Sequence, residues 1–425
     1  MSRPLRVEIL CLGDELLLGI RLNSHLRLLG DALSAHGLPV RRSHELLDDP
    51  AVIRETFSEA WARADLIITT GGLGPTTDDL TRETVADVLG KPLHHSSEQE
   101  VHLKEFFAAR GVALPLNNLR QCLYIEGADL LPNPQGTAPG QWLEADGKVL
   151  IMLPGPPREL EPMWREQALP RLIEKGWARP RERFLQLRTS GIGESTLATV
   201  LEPLIDPYRD RLLVGYCAHD GAVDIRLSAI DETLSLKEIE ALGQAMKDVL
   251  GEDFSHFGEM DIAALIIRQL RDRGRTLAVA ESCSGGLLAS RFTDIAGASR
   301  AFMGGAVCYR NEVKENLLHI PRDLLRQHGA VSPEVSVAMA TAATEVFESD
   351  YALSITGYAG PAGGREPVGT LYIGLASPVG VWSRKVVAPG SRETVKVRAV
   401  NAALDFLRRK MRKYEVHDFL DRLCE

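Results

Sequence analysis

The sequence predicts a multidomain α/β protein in which two strand–helix alternating segments flank a small α+β module. Three observations lead there. The chain has 425 residues, which is long for one core. Apolar runs such as Val7–Leu12, Leu66–Thr70 and Val149–Leu153 alternate with helical patterns, as in largely parallel sheets covered on both faces. Between about 180 and 257 the pattern changes to short strands and an amphipathic helix. The expected domains are 1–172, 180–257 and 259–425.

In the first segment the strand Val7–Leu12 passes through Gly13-Asp14-Glu15 into a helical pattern from about Asn23 to Ala35. The strand Leu66–Thr70 runs into Gly71-Gly72-Leu73-Gly74-Pro75 and then a helix around Leu80–Leu89. Val149–Leu153 is a further strand, stopped by Pro154-Gly155-Pro156-Pro157. In the second segment Phe184–Arg188 is a strand and Glu194–Leu204 a helix. Leu212–Tyr216 and Val223–Ser228 form a strand pair, and Leu236–Leu250 is an amphipathic helix. The third segment opens with the helix Ile262–Arg271 and closes with a long charged helix over about 392–413. Between them lie the strands Leu277–Ala280, Ala306–Cys308 and Tyr351–Ile355.

Composition bounds the function. With 44% hydrophobic and 25% charged residues the chain is an ordinary globular one, which excludes extensive disorder. A net charge of -9 argues against a broad nucleic-acid surface but leaves room for small anionic substrates in a local basic pocket. The six cysteines form no CxxC pair, as expected in a reducing cytosol. No apolar run reaches membrane-spanning length and no signal-peptide core is present, so the expected location is cytoplasmic.

Glu281-Ser282-Cys283-Ser284-Gly285-Gly286 is the most informative stretch. A strand, a tight turn and a helix start place the Ser282 hydroxyl where backbone N–H groups converge, which suits a nucleophile whose reaction passes through an oxyanion. A serine attacking an amide needs a base, and no histidine lies near it in sequence; His319 and His328 fall in helical, exposed surroundings. Lys314 can take that role if burial lowers its pKa. It lies about one helical turn past Tyr309, so that phenol and amine can face one pocket and Tyr309 can relay or orient the proton. The loop Thr356-Gly357-Tyr358-Ala359-Gly360 at the end of the strand Tyr351–Ile355 allows close backbone approach to a ligand, as do Gly285 and Gly286. These loops can hold a ribose phosphate, with Arg392 or Arg398 as cationic partner.

The third segment resembles the amidase domain of the CinA family, a family also described as competence- or damage-inducible. The matching stretches are Glu281–Gly286, Gly297-Ala298-Ser299, Tyr309–Lys314, Gly329–Ser332, Thr356–Gly364 and Pro367–Thr370. The resemblance implies hydrolysis of the amide of nicotinamide mononucleotide to nicotinic acid mononucleotide and ammonia, without a cofactor. It implies Ser282 as nucleophile, Lys314 as base, Tyr309 as its partner, and substrate contacts from Ser284 and the two glycine loops. The chain departs from the family at Ser284, where threonine is usual, at Tyr358, where an aliphatic residue is usual, and at Ser391, where aspartate is usual.

In the first segment Gly71, Gly72 and Gly74 precede the adjacent carboxylates Asp78 and Asp79, and Asp14 lies in a second acidic turn. The glycines can present N–H groups to a phosphate, and the aspartates can bind a divalent metal that neutralises a pyrophosphate under attack by water. Together with Asn133–Gly140 and Leu153–Pro157, this segment resembles the other half of full-length CinA proteins, which is similar to molybdopterin-binding domains. The resemblance implies binding of ADP-ribose, or its hydrolysis with cobalt or magnesium. Asn23-Ser24-His25 stands where the family usually has Asp-Thr-Asn or Asp-Ser-Asn. A nucleotide- or pterin-binding module without turnover is the alternative for this segment. Joined on one chain, the two activities imply pyridine-nucleotide salvage.

The layout of the middle module resembles a KH-type fold, but its Gly191-Ile192-Gly193-Glu194 turn is acidic. No nucleic-acid partner is therefore expected. A scaffold or dimerisation role, and a homodimer, are the expectation.

Overall fold

The computed structural model describes residues 5–180, 183–219, 221–230 and 233–421. The chain divides into two compact units, Met1–Glu182 and Arg183–Glu425.

In the first unit the strands are β1 (Val7–Leu12), β2 (Val40–Leu46), β3 (Leu66–Thr70), β4 (Leu93–His95), β5 (Leu123–Ile125), β6 (Ala128–Leu131), β7 (Gly140–Ala145) and β8 (Lys148–Leu153). Six of them form a sheet in the order β2-β1-β3-β8-β7-β6. The four strands β2, β1, β3 and β8 run parallel, whereas β7 and β6 turn back antiparallel. Side chains alternate between two cores. Val7, Ile9, Ile68 and Ile151 pack on one face, and Leu10, Leu12, Ile67 and Leu150 on the other. Burial on both faces is why β8 is apolar from Val149 to Leu153, whereas the one carboxylate inside β1, Glu8, is paired with Arg63. The helix Ser24–Ala35 starts at Asn23, whose side chain accepts from the N–H groups of His25 and Leu26.

The second unit holds two sheets. The smaller one contains β9 (Phe184–Ser190), β10 (Leu212–His219), β11 (Ala222–Ala229) and β12 (Phe254–Phe257), all antiparallel, in the order β10-β11-β9-β12. The helices Glu194–Ile205 and Leu236–Leu250 close its core, the second opened by a capping box of Ser235 and Glu238. The larger sheet contains β13 (Leu277–Glu281), β14 (Phe302–Val307), β15 (Tyr351–Gly357), β16 (Thr370–Ser377) and β17 (Gly380–Val387), in the order β14-β13-β15-β16-β17. Its first three strands are parallel, and β16 runs antiparallel to both of its neighbours, β15 and β17. Along β13, Leu277 and Val279 face the helices Ile262–Asp272 and Arg392–Asp421, while Ala278 and Ala280 face Pro333–Val346. Both sheets that carry candidate site residues are thus mixed rather than parallel throughout.

Candidate functional site

Ser282 follows β13, Lys314 lies in the helix Asn311–Leu318 beyond β14, and Gly357 ends β15. Because β13 sits between its two parallel neighbours, all three segments emerge at one sheet edge, where ligands of open α/β sheets bind. The Ser282 N–H donates to the Ile355 carbonyl at 2.9 Å, which fixes the turn to the neighbouring strand.

Lys314 is 1% exposed, and among the described residues no carboxylate pairs with it. Its Nζ lies 3.1 Å from Ser282 Oγ, 2.6 Å from the Cys308 carbonyl and 3.4 Å from the Tyr309 carbonyl. Burial pushes the amine below its ordinary pKa, because a charge without a counter-ion is disfavoured there. A neutral amine has two N–H groups and one lone pair. If both N–H groups of the neutral form go to the two carbonyls, its lone pair is left for the Ser282 hydroxyl, to which the ammonium form donates instead. That is the arrangement of a base beside its nucleophile.

Tyr309 is placed differently from expectation. Its side chain is 58% exposed, and its hydroxyl accepts from Arg392 Nη2 at 2.9 Å rather than meeting the lysine. Only its carbonyl touches Lys314. The helix begins at Asn311 after an extended Arg310, so Tyr309 does not lie on the helix and helical spacing does not bring phenol and amine together. Arg392 also donates from Nη1 to the Gly360 carbonyl at 2.5 Å, linking the two loops that flank the serine. Arg398 instead donates to the Pro389 carbonyl at 2.6 Å.

Among the other expected contacts, the Thr356 hydroxyl donates to the Ala330 carbonyl, and Ala359 lies in the core. Gly285 and Gly286 adopt φ of 65° and 96°, which only glycine takes without strain. Their N–H groups are already engaged: Gly285 donates to the Ser282 carbonyl and Gly286 to the Glu281 carboxylate. The Ser284 hydroxyl is fully buried with no hydrogen-bond partner among the described residues. Cys283 is buried as well, and burial pushes its thiol up to about 11.

Two residues escaped the sequence reading. Glu281, 1% exposed, accepts from the N–H groups of Gly286, Leu288 and Ala289. Lys396 lies one turn beyond Arg392 on the same helix, its Nζ 3.7 Å from where a Cβ on Gly285 would stand. Spacing of four residues from Arg392 was the available signal.

In the first unit the turns after β1, β2, β3 and β8 likewise share the edge at the carboxyl ends of parallel strands. Gly71 and Gly72 serve close packing there, since a Cβ would overlap the Leu12 carbonyl or the Thr81 hydroxyl respectively. A Cβ on Gly74 would overlap the Asp79 carboxylate. Asp79 turns back to accept from the Thr76 N–H at 2.9 Å and from its hydroxyl, while Asp14 and Asp48 each accept from the other's N–H. Asp78 is exposed. Asp48 is pushed up to about 6, chiefly by burial, with the charges of Asp14, Asp78 and Glu15 adding to it. Among the described residues no group of three or more His, Cys, Asp or Glu is arranged to hold a metal. Asp14, Asp78 and Asp79 are thus not gathered into a closed set of ligands. Nearby, the buried His25 has its Nδ1 2.9 Å from the Thr70 hydroxyl.

Family models match three stretches of the chain. They are described as the CinA C-terminal domain over residues 259–411, "Probable molybdopterin binding domain" over 8–174, and the damage-inducible protein CinA KH domain over 186–254. Across 95% of its length the chain is 40% identical to the CinA-like protein of Crocosphaera subtropica, covering 99% of that protein. The chain belongs to the CinA family. A competence-damage inducible relative from Thermoanaerobacter pseudethanolicus is 39% identical to this CinA chain over 95% of it and 98% of the relative. The crystal structure titled as the protein CinA with unknown function from Thermoplasma acidophilum is 32% identical, with a TM-score of 0.37, covering 39% of this chain and 98% of that one. The fold is accordingly a mixed α/β one: a molybdopterin-binding-like domain, a KH-like module and a C-terminal CinA domain. Among the described residues no helix is long and apolar enough to cross a membrane.

Proposed function

We propose that the C-terminal domain hydrolyses the amide of nicotinamide mononucleotide to nicotinic acid mononucleotide and ammonia. The observation that carries this reading is the buried Lys314 amine, with two carbonyls on its N–H groups and the Ser282 hydroxyl 3.1 Å away. The lone pair takes the hydroxyl proton as Oγ bonds to the amide carbon and the carbonyl electron pair moves to oxygen. When that pair returns, the C–N bond breaks and the Lys314 ammonium gives its proton to the departing nitrogen, releasing ammonia. Water then attacks the ester, passing a proton to Lys314. The C–Oγ bond breaks, and Ser282 recovers its proton. Arg392 and Lys396, on one face of their helix beside the serine turn, suit the substrate phosphate.

Ammonia release from the mononucleotide by the purified full chain tests the proposal. Ser282→Ala and Lys314→Ala are each expected to abolish it, and unchanged turnover in either variant refutes the assigned role.

For the N-terminal unit the reading is binding of ADP-ribose at the edge formed by the turns after β1, β3 and β8. A module without turnover is favoured over a pyrophosphatase by one observation: Asp79 and Asp14 already accept from backbone N–H groups. AMP formed from ADP-ribose with cobalt or magnesium, and lost in Asp78→Ala, would overturn that preference.

A further inference from the structure

We propose that Glu281 is a positioning residue that holds the nucleophile turn in register with its base. This rests on the Ser282–Lys314 reading. A carboxylate at the end of a central strand is normally solvated or paired with a cation, yet Glu281 is 1% exposed and its oxygens are spent on backbone. Oε2 accepts from Gly286 and Leu288 at 3.0 Å each, and Oε1 accepts from Ala289 at 2.8 Å. These donors open the helix Leu287–Thr293, where unsatisfied N–H groups favour negative charge. The side chain thus reaches over the four residues after it and closes the loop that carries Ser282.

The main chain of the same residue acts on the other partner. The Glu281 carbonyl accepts from the Cys308 N–H at 2.6 Å, and the Cys308 carbonyl in turn accepts from Lys314 Nζ at 2.6 Å. One residue therefore fixes the loop of the nucleophile through its side chain and the seat of the base through its backbone. It also takes the helix-start N–H groups that sequence reasoning offered to a substrate phosphate, which leaves that anion to side-chain cations such as Arg392.

The test compares wild type, Glu281→Gln and Glu281→Asp as full chains, with Ser282→Ala as the blank. Glutamine presents an amide N–H₂ to a backbone N–H and loses the charge; aspartate keeps both acceptors on a shorter arm. The readouts are the rate of Ser282 labelling by a small fluorophosphonate, kcat and KM for nicotinamide mononucleotide, and Tm. Labelling and kcat are expected to fall together by at least tenfold in Glu281→Gln and less in Glu281→Asp, with KM within twofold. The acid limb of the pH profile should stay in place, because the Glu281 side chain bonds only backbone N–H groups of its own loop and helix start and does not touch Lys314. Wild-type labelling and kcat in a folded Glu281→Gln would overturn the proposal. If that variant does not fold, wild-type kcat in Glu281→Asp with a displaced acid limb would do so. Absence of Ser282 labelling in wild type itself sinks the dyad reading, and this proposal with it.

Discussion

Replacing Lys314 by methionine separates the chemistry of the amine from its packing. Methionine matches the length and apolar stem of the lysine but has no lone pair to take the Ser282 proton. Removal of a general base costs about 10²- to 10⁴-fold in rate, or about 2.7–5.4 kcal/mol of barrier. The stability consequence has a definite sign. The unfolded lysine titrates near its ordinary value of 10.5, and burial lowers the folded value. Between the two, the unfolded chain binds one more proton than the folded one, so wild-type stability climbs with pH by up to about 1.36 kcal/mol per unit. The burial penalty is therefore complete below the folded pKa and absent above 10.5. Methionine carries no such penalty. It forfeits the bond to the Cys308 carbonyl, a loss of about 1–3 kcal/mol that shifts the comparison without changing its slope. Denaturant unfolding of both proteins from pH 6 to 10, beside ammonia release, should show the methionine variant's relative advantage shrinking as pH rises. A pH-independent difference, or turnover within tenfold of wild type, would refute the neutral-base argument.

Two further expectations follow from the placement of other side chains. Tyr309→Phe removes a hydroxyl that touches Arg392 and not Lys314, so kcat for the mononucleotide should change less than tenfold while KM rises; steady-state kinetics decide it. Asp48→Asn should stabilise the protein at pH 7 and do far less at pH 4. The folded carboxyl titrates at about 6 against 3.8 unfolded, so its penalty appears as pH rises through that interval; thermal unfolding at the two pH values measures the difference.

Much of the candidate site was legible because buried parallel strands leave a strong signature. The apolar run at Leu277–Ala280 and the glycine turn after it located Ser282, and the strand before Tyr309 located Lys314. What the sequence left out was local competition for hydrogen bonds. The Asp79 carboxylate, expected on a metal, accepts from the Thr76 N–H three residues before it. Tyr309 looked like a partner of the lysine because helical spacing was counted across a helix start that lies two residues later. The antiparallel return of β16 was hidden, since a strand buried beside a parallel set carries no mark of its direction. Glu281 gave no signal: nothing in composition distinguishes a carboxylate that caps its own downstream helix from one in water.

The thiol next to the nucleophile has a practical consequence. Cys283, held protonated by its surroundings at neutral pH, is a poor target for iodoacetamide even though it adjoins Ser282, the proposed nucleophile. An alkylating reagent that spares the domain and a phosphonylating one that silences it would together identify oxygen, not sulfur, as the attacking atom, without any substitution being made.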